Sequence, residues 1–142
     1  MHWLKRYTED QCLSLNHKIL DQGLLLNTIY GIKNCDTVKK ARTLLESLNT
    51  DYCFHDFRVD GISIQIIAAW LAKTSVSSLL NKRSTTWKQL PESLRSTLMD
   101  NPSQALIIET FIAYPTLIKR PVLVDDKGQV TVGFIKQHYL DL

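Results

Sequence analysis

The 142-residue sequence predicts an α/β protein with a central mixed sheet and a helical insertion between the two halves of that sheet. Three patterns support this fold class: a strand–helix–strand unit near residues 24–57, a helical stretch at 63–113, and a β-hairpin followed by a short helix at the C-terminal end. The order βαβ, helices, ββα is that of a thioredoxin-like sheet with four or more strands. With 44% hydrophobic and 22% charged residues, the composition is that of a folded globular protein.

The βαβ unit begins with an apolar segment and ends with an aromatic one. Residues 24–30 are apolar enough to form a buried strand, which Gly31 would end. Residues 52–57 are rich in aromatics and predict a second strand, parallel to the first, because βαβ crossovers place their strands in parallel. Between them, the apolar residues recur at helical spacing on one face: Val38, Ala41, Leu44, Leu45 and Leu48.

The rest of the chain is predicted from helical spacing and turn chemistry. Helices dominate 63–113, and Pro91 at an N1-like position would open one of them, ending near Met99. Residues 121–134 form two short strands around an Asp-Lys-Gly turn, which predicts a hairpin. A final short helix is expected at 135–140.

The first 27 residues carry no chemical motif and are expected to be an extension, with the domain proper at 28–142. Thr8 and Gln11 form a possible capping box for a short helix through about Leu20. The N-terminal segment lacks both a clean apolar core and a small-residue cleavage site, so we expect no signal peptide.

Charge and hydropathy exclude several classes of function. The net charge of +3 is small and interspersed, so no basic stripe for nucleic acid is expected. No stretch approaches the roughly 20 apolar residues that span a bilayer, so no membrane partner is expected. Three unevenly spaced cysteines do not form a secreted disulfide framework, which favours the reducing cytoplasm.

Cys35 is the main candidate for chemistry because it lies between the first strand and the first helix. A helix N-terminus presents free N–H groups and a partial positive charge, which favour a thiolate over a thiol. Lys33, Lys39 and Lys40 lie near it in sequence and can add support. The alternative is a buried structural cysteine, which is common for a lone cysteine.

A resolving thiol for Cys35 is not obvious in the sequence. Val38 stands where a Cys-x-x-Cys motif would need its second cysteine, so that dithiol is excluded. Cys53 lies in the second predicted strand and Cys12 in the extension, and either one would have to be recruited. Glutathione, as an external thiol, gives the simplest chemistry.

Two basic segments are candidates for anion binding. Arg120 precedes Pro121, and the X-Pro bond between them is a candidate for the cis form. This loop is expected to lie opposite the Cys35 loop. A guanidinium there can stabilise a thiolate and hold an oxyanion, although a surface arginine is the alternative. Residues 81–87 combine Lys82 and Arg83 with hydroxyls and an aromatic ring, which fits either an anion-binding loop or a solvated helix end.

Other chemistry is not expected. The four histidines show no metal-ligand spacing, so no metal site is predicted. Asp36 and Thr37 fit helix capping better than acid–base catalysis.

Several segments, in this order along the chain, resemble the arsenate reductase (ArsC) family and its YffB-like branch, of which the regulator Spx is a more distant relative. They are 30–42, 54–58, 79–87 and 115–121. The resemblance covers about residue 28 to the C-terminus. It implies a thioredoxin-like fold with a helical insertion, a nucleophilic cysteine matched by Cys35, and an oxyanion-binding arginine matched by Arg120. Glutaredoxin-coupled arsenate reductases use further arginines near Asn81 and Gly133, where this chain has none, although Arg83 follows two positions after Asn81.

The resemblance implies a glutathione-dependent thiol–disulfide reductase that acts on a small oxyanion or thiol substrate, with glutathione or a glutaredoxin as partner and no tightly bound cofactor. Cys35 and Arg120 would be catalytic. The residues expected to bind substrate or glutathione are Lys33, Asn34, Arg83 and Pro121. Two alternatives remain: a glutaredoxin-coupled arsenate reductase, and an Spx-like regulator that binds RNA polymerase. Val38 removes the Cys-x-x-Cys switch that the regulator uses.

Overall fold

A computed structural model describes residues 26–142, which divide into two compact units. The sheet unit comprises the described residues up to Gly61 together with Arg120–Leu142, and the helical unit comprises Ile62–Lys119. The chain therefore leaves the sheet unit once and returns to it once. The helix expected at 8–20 lies outside the described residues.

The elements follow the predicted order. The strands are β1 (Thr28–Gly31), β2 (Cys53–Asp56), β3 (Val122–Val124) and β4 (Val130–Val132). The helices are α1 (Asp36–Ser47), α2 (Ile64–Leu71), α3 (Val76–Leu79), α4 (Thr85–Gln89), α5 (Glu92–Met99), α6 (Gln104–Ala113) and α7 (Lys136–Leu140), with a 3₁₀ turn at Pro115–Leu117.

The sheet is mixed, as predicted, and among the described residues it has four strands in the order β2-β1-β3-β4. β1 is central: Ile29 pairs with Phe54 of the parallel β2 and with Leu123 of the antiparallel β3. β3 and β4 form the predicted hairpin, in which the Asp125 carboxylate accepts the N–H groups of Lys127 and Gln129 at 2.9 Å. This topology confirms the α/β fold class.

Helix α1 buries the predicted apolar face against the sheet. Val38, Ala41 and Leu45 are fully buried and pack with Ile29 and Leu123 in one core cluster. The prediction was wrong for Leu48, which is 41% exposed, because α1 ends at Ser47 and Leu48 is its C-cap.

Most helices of the helical unit are short and begin after a serine. Each of four helices starts after a serine whose side chain accepts an N–H from the first turn; these are Ser63, Ser75, Ser84 and Ser103. Helix α2 packs against α6, and Leu80 forms a β-bridge with Ile118. No helix among residues 26–142 has the length and apolar character that a bilayer crossing requires.

Two details of the helical unit differ from the sequence prediction. Pro91 is the N-cap of α5 with φ −54° and ψ 140°, so it precedes the first helical residue instead of occupying N1. Helix α4 was not predicted, because its five residues are too few to show a helical period.

Gly31 permits the close packing of β1 on α1. A Cβ atom built on Gly31 would lie 2.6 Å from Cγ2 of Val38, well inside van der Waals contact. Val38 is fully buried in the core cluster, so its branched side chain has little room to move.

We predict that Gly31→Ala destabilises the protein by about 1–3 kcal/mol, the usual cost of overpacking a core. Val38→Ala removes the methyl group that clashes, so the double variant should lose less stability than the sum of the two single variants. Urea unfolding of the four proteins measures this coupling. Strictly additive losses would contradict the proposed contact.

Candidate active site

Cys35 is the N-cap of α1, with extended backbone angles of φ −89° and ψ 124°. Its N–H donates to the carbonyl of Ile32 at 3.1 Å, and its carbonyl accepts the N–H of Lys39 at 2.9 Å. The prediction that Asp36 and Thr37 cap this helix is therefore wrong, because Asp36 is already its first residue. The cysteine side chain takes the place that a capping side chain normally occupies.

The thiol of Cys35 experiences opposing influences. Burial raises its pKa, whereas the backbone N–H of Val38, the guanidinium of Arg120 and the backbone N–H of Thr37 lower it. The lowering effects prevail, so the pKa of Cys35 lies below its ordinary value. The sulfur makes no capping hydrogen bond of ordinary geometry, so we attribute the effect of the helix N–H groups to their dipoles. Cys35 is a free cysteine and is half-buried, so the residue is not sealed in the core.

Arg120 reaches Cys35 because of strand pairing. β3 runs antiparallel to β1, with Val122 opposite Tyr30, so the residues that precede β3 lie beside the loop that follows β1. The Arg120–Pro121 peptide is cis, which confirms that prediction. The Arg120 guanidinium acts on the Cys35 sulfur both through a hydrogen bond and through its charge. Its Nε is buried and has no hydrogen-bond partner among the described residues, which leaves a donor for an anionic ligand.

Asp56 links the end of β2 to the loop that carries Cys35. One carboxylate oxygen accepts the backbone N–H of Lys33 at 3.2 Å, and the other accepts the N–H of Arg58 at 2.8 Å. The side chain is only 4% exposed. Sequence reasoning missed this residue. The available signal was an acidic residue at the carboxyl end of a predicted strand parallel to the one before Cys35.

The other predicted site residues differ in their surroundings. Lys33 and Asn34 are exposed in the loop next to Cys35. Pro121 is buried, and its carbonyl accepts the N–H of Gly133 at 2.8 Å. Arg83 is exposed in the helical unit, where its N–H donates to the side chain of Asn81 at 3.2 Å. A substrate-binding role for these four residues stays a prediction.

Cys53 does not offer a second reactive thiol. It lies in β2, is 1% exposed and is not free, whereas Cys35 is the free cysteine of residues 26–142. Within the same residues, no group of three or more His, Cys, Asp or Glu side chains is arranged to hold a metal ion. The chemistry of the described site therefore centres on Cys35 and Arg120.

Comparison with known proteins identifies the family. The family model for the ArsC family matches residues 30–142. The chain belongs to the ArsC family. This ArsC chain is also 40% identical over 112 residues to an uncharacterized protein of Haemophilus influenzae, a match that covers 79% of this chain and 94% of the relative.

Two solved structures share both fold and sequence with this ArsC chain. A YffB protein is 37% identical, with a TM-score of 0.71, and the match covers 81% of this chain and 96% of that one. An arsenate reductase (ArsC) related protein from Brucella melitensis is 42% identical, with a TM-score of 0.63, and the match covers 82% of this chain and 93% of that one. Family membership supports an oxidoreductase of the arsenate-reductase-like type.

We predict that Arg120→Ala raises the pKa of Cys35, because the variant loses both the hydrogen bond and the positive charge that favour the thiolate. The rate of alkylation by iodoacetamide at neutral pH should fall several-fold, and the pH profile of that rate should move to higher pH. The pH profile of Arg120→Lys should lie between those of the unaltered protein and Arg120→Ala, because lysine keeps the charge but loses the guanidinium geometry.

Lys119→Ala provides the matched control for this experiment. Lys119 is the neighbouring exposed cation and is not among the groups that shift the pKa of Cys35. Its profile should match that of the unaltered protein. An unchanged profile in Arg120→Ala would remove Arg120 from the site.

Proposed function

We propose that the protein is a glutathione-dependent thiol–disulfide reductase that uses Cys35 as its single nucleophile. The observation that carries this proposal is a free, half-buried cysteine whose pKa is lowered at a helix N-terminus and beside Arg120. A thiolate, not a thiol, is the attacking species in disulfide exchange, so this setting favours reaction at neutral pH.

The proposed cycle has two exchange steps. The Cys35 thiolate attacks the glutathione sulfur of a glutathionylated substrate, the substrate S–S bond breaks, and the substrate thiolate leaves and takes up a proton. Cys35 is then joined to glutathione in a mixed disulfide. The thiolate of a second glutathione attacks this disulfide, which releases oxidised glutathione and restores the Cys35 thiolate. In sum, one glutathionylated substrate and one glutathione become the free substrate thiol and oxidised glutathione, and one disulfide is exchanged for another.

An external resolving thiol fits the surroundings of Cys35. Val38, three residues after Cys35, occupies the position of a second cysteine and is fully buried in the core. Cys53 is buried in β2 and is not free. Neither position offers a resolving thiolate, so we assign that step to a thiol from solution.

The residues around the sulfur suit an anionic tripeptide. Glutathione carries a carboxylate near each end, and both need cationic or N–H donors. Arg120 has a buried Nε without a partner among residues 26–142, and Lys33 and Asn34 are exposed in the same loop as Cys35. We propose that Arg120 lies nearest the sulfur and that Lys33 and Asn34 contact the outer parts of the tripeptide.

Arsenate reduction is the second candidate, and the guanidinium of Arg120 beside Cys35 favours it, because this pair can hold an oxyanion against a nucleophile. The relative from Brucella melitensis is described as related to arsenate reductase. The further arginines of glutaredoxin-coupled enzymes would fall near Asn81, where Arg83 lies two positions on, and near Gly133, where no basic residue stands. Each missing guanidinium removes a charge-assisted contact, so we place thiol–disulfide reduction first.

We predict that oxidised glutathione adds one glutathione to the protein at Cys35, and that Cys35→Ser abolishes both this adduct and turnover of a glutathionylated peptide. Intact-protein mass spectrometry counts the adducts, and peptide mapping assigns the modified cysteine. Far-UV circular dichroism checks that the serine variant is folded, since the half-buried position tolerates a small polar side chain. Full turnover in Cys35→Ser would overturn the proposal.

A parallel assay separates the two candidate activities. With glutathione alone, we expect reduction of the glutathionylated peptide above the rate of Cys35→Ser. With a glutaredoxin added as well, we expect no arsenate-dependent oxidation of glutathione above the rate of Cys35→Ser. Arsenate turnover that depends on Cys35 would place the second candidate first.

A further inference from the structure

We propose that Asp56 is a positioning residue for Cys35. Its carboxylate would hold the loop between β1 and α1 so that the sulfur stays at the helix N-terminus and beside Arg120. This inference rests on the proposed role of Cys35 as the reactive sulfur and adds a residue that does not contact the substrate.

Asp56 is placed to bridge two strands at the edge of the site. It is the last residue of β2 and pairs with Gly31, the last residue of β1. The N–H of Phe57 donates to the carbonyl of Gly31 at 2.9 Å, so the two strand ends are fixed to each other. From this anchored position the carboxylate extends to the loop that begins directly after Gly31.

Each oxygen of the carboxylate accepts one backbone N–H, and the two donors come from different segments. Lys33, two residues before Cys35, donates its N–H to one oxygen at 3.2 Å. Arg58, two residues after Asp56, donates to the other oxygen at 2.8 Å. A carboxylate that is 4% exposed stays in such a place only if its oxygens are hydrogen-bonded. Its position therefore couples the Cys35 loop to β2.

The loop must be held because the effects on the sulfur depend on short distances. The dipoles of the Val38 and Thr37 N–H groups and the charge of Arg120 lower the pKa of Cys35 only while the sulfur stays close to them. The turn from Cys35 N–H to the Ile32 carbonyl shapes the loop internally but does not tie it to the sheet. The Lys33–Asp56 hydrogen bond connects this loop to β2 of the sheet.

Three roles for Asp56 predict different results. If it positions the loop, removal of its carboxylate moves the sulfur away from its stabilising groups, and the pH midpoint for alkylation of Cys35 rises. If it acts only through its negative charge, removal lowers the midpoint, because a nearby anion disfavours the thiolate. If it only stabilises the fold, thermal stability falls and the midpoint does not move.

Asp56→Asn tests these roles with the least change of shape. The two N–H groups bind different oxygens of Asp56, and the amide replaces one of these oxygens by an NH2 donor, so one of the two N–H groups loses its acceptor. We expect it to keep the shorter, local bond to Arg58 and to lose the bond to Lys33. The alkylation rate of Cys35 below its midpoint should fall by about three- to tenfold, where tenfold corresponds to one unit of pKa.

Asp60→Asn is the matched control. Its carboxylate accepts the backbone N–H of Asp56 at 3.0 Å in the same turn, and it makes no described hydrogen bond to the Cys35 loop. The Asp60→Asn substitution removes one negative charge close to Asp56 in the sequence, so this variant also reports the effect of charge on the Cys35 midpoint. We expect its midpoint to match that of the unaltered protein.

The measurement is iodoacetamide alkylation of the native protein from acid to alkaline pH, with the Cys35 peptide quantified by mass spectrometry and the fold monitored by circular dichroism. If Asp56→Asn does not fold, Asp56→Ser is used, because its hydroxyl can still accept the local N–H of Arg58 but is too short to reach Lys33. A midpoint that is unchanged or lower in the folded variant overturns the positioning role and leaves the proposed function intact. If Cys35 of the unaltered protein is not alkylated at low pH, that result overturns both the positioning role and the proposed function.

Discussion

The local electrostatic balance at the Cys35 sulfur is the interaction on which the proposed chemistry depends. Partial burial favours the neutral thiol, whereas the N–H groups at the start of α1 and the Arg120 guanidinium favour the thiolate. The opposing effects act on one atom and come from different parts of the chain. The loop after β1 supplies the sulfur, the first turn of α1 supplies the dipoles, and the approach to β3 supplies the cation.

The sheet unit is arranged so that these parts meet. β1 is central and pairs with β2 on one side and β3 on the other, so its carboxyl end is fixed from both directions. Gly31 lets α1 lie close against that end, because any side chain there would meet Val38. Asp56 extends from β2 to the same loop. The loop that carries Cys35 is therefore hydrogen-bonded to the Asp56 side chain of β2 on one side, and the residues before β3 lie beside it on the other.

The sequence also pointed to the two residues at the centre of the candidate site, and the reasons for its errors are physical. Cys35 was identified because a cysteine between an apolar strand and an amphipathic helix lies where helix N–H groups favour a thiolate, and Arg120 because strand order placed its loop nearby. The capping assignment to Asp36 failed because an acidic first-turn residue looks the same in sequence whether it stands at the N-cap or one position later. Asp56 was missed because its partners are backbone N–H groups, which no side-chain pattern reveals.

By itself, the sequence determined the α/β class, the order of elements, the buried face of α1 and the exclusion of a Cys-x-x-Cys dithiol, because these follow from local periodicity and residue identity. Only the tertiary structure decided that Arg120 acts on the Cys35 sulfur and that Asp56 is hydrogen-bonded to its loop. Arg120 lies 85 positions after Cys35 in the chain, and Asp56 lies 23 positions after Lys33. Such contacts depend on strand register, since a shift of one residue would turn each side chain to the opposite face of the sheet.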